Sequence, residues 1–267
     1  MCHPSPLLVR RGAFRLLGFA AGLLLLGANV RAQENGWGSS WTNAPTDHSQ
    51  ANRTVGGEIG RDLRTGNTAE AERHLAELLR ENPGSAGAYR VAAMVHWKMH
   101  RYQAALDDCD HGIQLLRETT PSELGEVYLL RSHIYLATKN YSAARAEDER
   151  AVRSNKRSET FNNDLAWLLA TCPDARVRDG GLAVRYAKKA CELGGSHDPE
   201  MLDTLAAAEA EAGQFDLAAQ DEQRAIALSK KDRLAGAQKR LSLYQNHQPY
   251  HKRADGAGPP PPPSRSS

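Results

Sequence analysis

Aromatic residues are scarce in this chain of 267 residues, at 6%. Valine and isoleucine are thin beside leucine and alanine, so a β-sandwich or barrel is disfavoured and helices packed through small side chains are expected. Long apolar runs are lacking as well. The one clear run, Leu16 to Ala28, is about 13 residues, short of the roughly 20 that span a bilayer as a helix, which excludes a multi-pass membrane protein. There is no strong excess of either charge. The formal net charge is +2, but Arg10, Arg11, Arg15 and Arg31 precede position 33 with no acidic residue among them. Beyond position 32 the chain carries 30 basic against 32 acidic residues, a net charge of −2. That balance offers no general attraction to nucleic acid or anionic lipid, both of which need clustered lysine and arginine.

The amino terminus has the order of an export signal: Arg10, Arg11 and Arg15, then the apolar run, then Val30-Arg31-Ala32 with compact residues three and one positions before a cut. Residues 1–32 are expected to be a signal peptide cleaved after Ala32, with an uncleaved anchor as the alternative. The paired arginines are also found in ordinary signals, so they do not specify the twin-arginine route. After cleavage the chain would lie in the periplasm or outside the cell, with no membrane attachment. It would carry Cys109, Cys172 and Cys191 into an oxidising compartment. Cys172 and Cys191 are the nearest pair, and a bridge closing their loop of about 20 residues would stabilise by roughly 3 kcal/mol. In an antiparallel helix pair, however, Cys191 lies about three turns beyond Cys172, on the order of 16 Å away. The alternatives are that bridge or three thiols.

Residues 33–52 are polar, rich in Gly, Ser and Asn, and without a sustained period, as in a flexible linker whose Trp37 and Trp41 could dock on the domain. Residues 246–267 contain five consecutive prolines, Pro259 to Pro263, and are expected to be a disordered tail. Between them runs a period. Gly66-Asn67-Thr68-x-x-Ala71, Tyr102-x-x-Ala105, Tyr141-x-x-Ala144 and Phe215-x-x-Ala218 each open a helical stretch after a short turn, at spacings of 34, 39 and 74 residues. Seven residues beyond each alanine stands Leu78, Gly112, Ala151 or Ala225, on the same helix face.

These units resemble tetratricopeptide (TPR) repeats, 34-residue helix–turn–helix modules, in a bacterial exported form. Leu202, Leu205, Ala206, Gly213, Phe215, Ala218 and Ala225 fill the family's positions in order, and Gly66, Ala71, Leu75, Leu78 and Pro83 do so in the first unit. The resemblance implies an all-α, right-handed superhelical solenoid over residues 53–231, with units at about 52–85, 86–119, 125–158, 160–196 and 199–231. Residues 232–245 would form a capping helix, with Leu234, Ala237, Leu241 and Tyr244 turned inward. Gly56, Gly57 and Gly60 each disfavour the leading helix by about 1 kcal/mol, so that helix is expected to fray. The fourth unit is stretched by a loop over 172–180. Stacking is required because a lone hairpin cannot bury its apolar face, whereas each added neighbour covers one face and presents the next.

Chemistry-bearing residues are sparse in pattern. His96 and His100, four apart on a helix, share a face as metal ligands do, but no third ligand accompanies them. Asp107 and His111 share a face within the polar run Asp107 to His111, which reads equally as a solvated surface. No Gly-x-Ser-x-Gly, Cys-x-x-Cys-His or phosphate-cradling glycine loop occurs. No cofactor is expected, and the chain is not expected to be an enzyme; a metal carrier or enzyme acting around 96–111 and a self-assembling structural subunit are the alternatives.

What remains is the concave groove that the family lines with the first helix of each unit and uses to hold a peptide or partner protein. The resemblance places Arg90, Met94 and Trp97 there from the second unit, Glu126, Leu129 and His133 from the third, and Glu200 and Asp203 from the fifth. Trp97 beside Arg90 and Met94 has the composition of an interface hot spot or of a core position. The family's lysine–asparagine clamp for a chaperone's carboxy terminus would fall on Gly56, Gly60, Val91, Glu126 and Leu130, none of which can supply it.

Overall fold

Alanine at buried helix contacts and a left-handed residue at four of the five hairpin turns set the architecture. The computed structural model describes residues 50–116, 121–195, 197–229 and 233–253, with side chains from residue 56 onward. Eleven helices and no strand occur among them: α1 (Gln50–Thr65), α2 (Thr68–Glu81), α3 (Ala86–Lys98), α4 (Tyr102–Leu116), α5 (Pro121–Ala137), α6 (Tyr141–Ser154), α7 (Glu159–Thr171), α8 (Gly180–Gly194), α9 (Pro199–Glu211), α10 (Phe215–Leu228) and α11 (Leu234–Gln245). Consecutive helices pair as hairpins, and the first helices also touch in a row, α1 on α3, α3 on α5, α7 on α9 and α9 on α11. The chain is an all-α solenoid of TPR-type units. The expected signal over 1–32, Trp37, Trp41 and Pro259 to Pro263 lie outside the described residues.

Ala71, Ala105, Ala144, Ala183 and Ala218, one in each second helix, are all completely buried. A methyl group there lets two backbones approach, and dispersion contacts then accumulate along the seam. Gly125 and Gly180 are used more severely. A Cβ on Gly125 would run into the Phe161 ring, and one on Gly180 would sit 2.6 Å from the Ala212 backbone nitrogen. The apolar faces merge into continuous clusters. Ile59, Leu75, Leu78, Ala92 and Val95 join the first two units, and Leu129, Val152, Phe161, Leu165, Leu169, Ala183 and Leu205 join the third to the fifth.

The turns between paired helices repeat. Gly66, His100, Lys139 and Gly213 all have positive φ, between 59° and 79°. After each, the next N–H returns to a carbonyl in the last turn of the first helix, as Arg101 N to His96 O at 2.8 Å and Gln214 N to Glu209 O at 2.8 Å. Ser85, Ser158 and Asp198 cap α3, α7 and α9 with side-chain oxygens that accept from backbone N–H groups one turn in.

Four expectations need correction or refinement. First, α1 is helical through Gly56, Gly57 and Gly60. Ile59 is 2% exposed against Leu75 and Leu78, and that packing outweighs the glycines, since most helical stability in proteins is tertiary. Second, Cys109, Cys172 and Cys191 are free thiols. Cys172 caps the end of α7 beside Leu168 and Val177, whereas Cys191 lies in the last turn of α8, and the loop between them is tied to α6 and α9 by two arginines. Arg178 donates to the Cys172 carbonyl at 2.7 Å and to Glu211 at 2.9 Å, and Arg145 donates to the Val177 carbonyl at 3.1 Å. Third, α11 caps the stack but is also the first helix of a sixth unit, because His247 has φ 55° and Gln248 N donates to Leu243 O at 2.9 Å, the same turn again. Fourth, residues 246–253 are not a loose tail. Among the described residues no second helix follows Pro249; the chain runs back so that Lys252 N donates to Thr171 O at 2.8 Å.

Candidate binding groove

The first helices carry two clusters of polar and aromatic side chains, one on α3 and α5 and one on α7, α9 and α11. In the first, Arg90 of α3 faces Glu126 of α5 at 3.6 Å, with the arginine 14% and the glutamate 41% exposed. One turn along α3, Met94 is half-buried. The next turn brings Trp97, half-buried and stacked on the His133 imidazole of α5 with centroids 6.2 Å apart. The Lys98 ammonium lies 5.1 Å from the indole centre. Burial, and then the charge of Lys252, pushes the His133 imidazole down to about 3, so it is neutral at physiological pH.

The second cluster spans α7, α9 and α11. Arg240 of α11 donates to Asp203 of α9 at 2.6 Å and lies 3.3 Å from Glu222 of α10, which is fully buried. Burial and the neighbouring Asp203 charge push Glu222 up to about 9. Burial would lower Arg240, but Asp203 and Glu222 outweigh it and hold the guanidinium charged. Glu200 pairs with Arg233. Asp164 of α7 is pushed up to about 7 by burial, opposed by the charge of Lys252. Burial likewise pulls Lys252 down to about 8, opposed by Asp164.

The residues assigned to the groove by family register thus divide. Arg90, Met94, Trp97 and Glu126 come together at a partly open face. Leu129 does not line the groove: it is 8% exposed and packed with Phe161 and Leu165, because α7 closes over that side of α5. His133 is 5% exposed beneath Trp97. Glu200 and Asp203 face the groove but are engaged by Arg233 and Arg240, which register alone does not reveal. Asp164, Trp167, Glu211 and Arg240 were not anticipated. Asp164 and Trp167, one turn apart on a first helix, were the available signal.

Around 96–111 the polar side chains face separate partners. His96 Nδ1 lies 2.6 Å from Asp108 Oδ2, His100 Nδ1 is 2.9 Å from the Tyr102 hydroxyl, and His111 Nδ1 is 2.9 Å from the Asp107 carbonyl on its own helix. Among the described residues no group of three or more His, Cys, Asp or Glu side chains is placed to hold a metal ion. A cavity of about 450 Å³ is lined by Glu149, Arg153, Lys156, Arg185 and Lys189, with Asn162 of α7.

No protein-family model matches the chain, and no curated protein does. Solved structures do. The chain is similar to PilW, described as a widely conserved type IV pilus biogenesis factor, at 14% identity over 74% of this chain and 91% of that one, with a TM-score of 0.55. It is similar to the C-terminal part of a TPR repeat-containing protein from Cytophaga hutchinsonii at 15% identity over 72% of this chain and 71% of that one, TM-score 0.51. MamA from Desulfovibrio magneticus RS-1 aligns at 17% identity over 67% of this chain and 96% of that one, TM-score 0.51. At these identities the likeness concerns the fold, and the fold is the tetratricopeptide-repeat solenoid.

Proposed function

We propose that this chain is a non-enzymatic scaffold that binds a partner protein or peptide along its row of first helices, after export from the cytoplasm. The observation that carries the reading is the α3–α5 cluster: a half-buried indole, a thioether and a guanidinium on one helix face, opposite a 41% exposed carboxylate. Aromatic and arginine side chains that are already ordered lose little freedom on binding, which is why they dominate interface energetics. The export reading is supported by the order of charges and apolar residues before Ala32. No helix among the described residues is long and apolar enough to cross a membrane.

The test is capture of partners from an envelope or extracellular fraction by the wild-type chain and by Trp97→Ala and Arg90→Ala variants. The groove reading expects both variants to lose a protein that the wild type retains. Recovery of identical partners by all three would overturn it.

A further inference from the structure

The end of the described chain behaves as a bound peptide. After the turn at His247, where earlier units launch a second helix, residues 248–253 run without helical structure. They reach three first-type helices. Against α7, the Lys252 backbone N–H meets the Thr171 carbonyl at 2.8 Å, and the Trp167 ring lies 6.1 Å from the Tyr250 ring and 5.4 Å from the Lys252 ammonium. Against α9, His251 Nε2 lies 2.6 Å from Glu211 Oε2, while the other oxygen of that carboxylate is fixed by Arg178 at 2.9 Å. Against α11, the Arg240 guanidinium lies 5.8 Å from both the Tyr250 and the Trp167 rings. Every receiving group is held by something other than the segment: Arg240 by Asp203 and Glu222, Glu211 by Arg178, Trp167 by the helix it stands on. Such preorganisation marks a site built for a ligand.

The chemistry it reads is definite. Trp167 and Arg240 make a slot for a flat ring. Two residues on, the ammonium lies over the indole, where the charge of Asp164 acts on it. Between them, a carboxylate takes an imidazole. The segment has no helical structure, and its main-chain bond to Thr171 fixes the backbone beside α7. Tyr250, His251 and Lys252 each keep part of their surface exposed, although the Lys252 ammonium itself is buried, and α11 keeps its own anchor in the fully buried Tyr244. The segment can therefore leave while the last helix stays docked.

We propose that the groove of units four to six is a subsite for an extended peptide bearing an aromatic ring two residues before a lysine, and that Tyr250–Lys252 of this chain occupies it until such a partner segment displaces them. This rests on the groove being the binding face and names the partner's chemistry. A segment tethered a few residues from α11 has an effective concentration on the order of millimolar or more, so it masks the subsite against weak ligands, and loosening it raises apparent affinity in proportion to the fraction opened.

The experiment uses the full chain, wild type and Tyr250→Ala/Lys252→Ala, with a fluorescent peptide of the sequence of residues 247–253 (HQPYHKR) as probe, read by anisotropy. The double variant should bind the probe about tenfold or more tightly than the wild type, and a probe with Tyr and Lys replaced by Ala should bind neither. Equal binding to both chains, or binding to neither, overturns the proposal. Amide exchange on the wild type tests it without substitution. The Lys252 N–H should exchange well ahead of the α7 and α9 amides, and its exchange only with global unfolding would make the segment part of the core and overturn the proposal. Neither failure touches the α3–α5 reading, which the Trp97 and Arg90 variants test two units away.

Discussion

Replacing Gly180 with alanine should separate α8 from α9, at the joint between the fourth and fifth units. The added Cβ would lie 2.6 Å from Ala212 N, 2.7 Å from the Glu211 carbonyl carbon and 2.8 Å from Ala212 Cα. These are backbone atoms within a helix end and its cap, so no rotamer change relieves the clash. Restoring ordinary contact needs the helices to part by roughly 0.7 Å, and a gap of about 0.5–1 Å forfeits a quarter to a half of each dispersion contact along the seam. Overpacking of this kind costs about 1–3 kcal/mol, against about 0.4–1 kcal/mol returned by restricting the unfolded chain. The net loss is about 1–2 kcal/mol, or roughly 2–8 °C in melting midpoint for a domain of this size. The control stands next door: a Cβ on Gly181 meets nothing closer than Asp179 Oδ1 at 3.8 Å, so Gly181→Ala should melt with the wild type or slightly above. Midpoints followed by far-ultraviolet circular dichroism decide the matter. A Gly180→Ala chain as stable as the Gly181→Ala chain would refute the close approach and the stacking geometry drawn from it.

Glu209 is 2% exposed with one carboxylate oxygen unbonded, and burial, then the Asp221 charge, pushes it up to about 7. A raised folded-state value means stability is lost as pH rises from the unfolded value, about 4.3, through about 7. Glu209→Gln should therefore be more stable than wild type by roughly 1–3 kcal/mol at about pH 8 and indistinguishable from it near pH 4, by thermal melting at both. Cys109, Cys172 and Cys191 should all react with a thiol reagent in non-reduced, denatured protein, and Cys109, pushed up to about 12 by burial, should resist it when folded; loss of two thiols would restore the bridge. Trp97→Ala should lose roughly 1–2 kcal/mol, because the ring is only half-buried; a loss of about 3–5 kcal/mol would make Trp97 a core residue.

The solenoid was legible because its physics is local. Ala105, Ala144 and Ala218 recur at fully buried helix contacts, where a larger side chain would hold the helices apart. The sixth unit was hidden because the reading followed an aromatic-x-x-Ala signal, and Pro249-Tyr250 has none; the turn at His247 is held by backbone hydrogen bonds that a histidine does not advertise. His100 and Lys139 adopt the same conformation without glycine for the same reason. Register placed Arg90, Met94, Trp97 and Glu126 on one shared face, since helical periodicity sets direction. It could not set depth. Leu129 is covered by Phe161, thirty-odd positions on, and Asp203 is engaged by Arg240, a comparable distance along the chain. Contacts of that range depend on how units nest, as does the return of residues 250–252 to Trp167.

Site-specific photo-crosslinking tests most directly whether partners are held on the first helices. A crosslinker at Met94, on the inner face of α3, and another at Arg185, exposed on the second helix α8, are compared in the same envelope or extracellular fraction. An adduct from position 94 and none from 185 is the predicted result; an adduct from 185 with none from 94 would place binding on the opposite face and contradict the account.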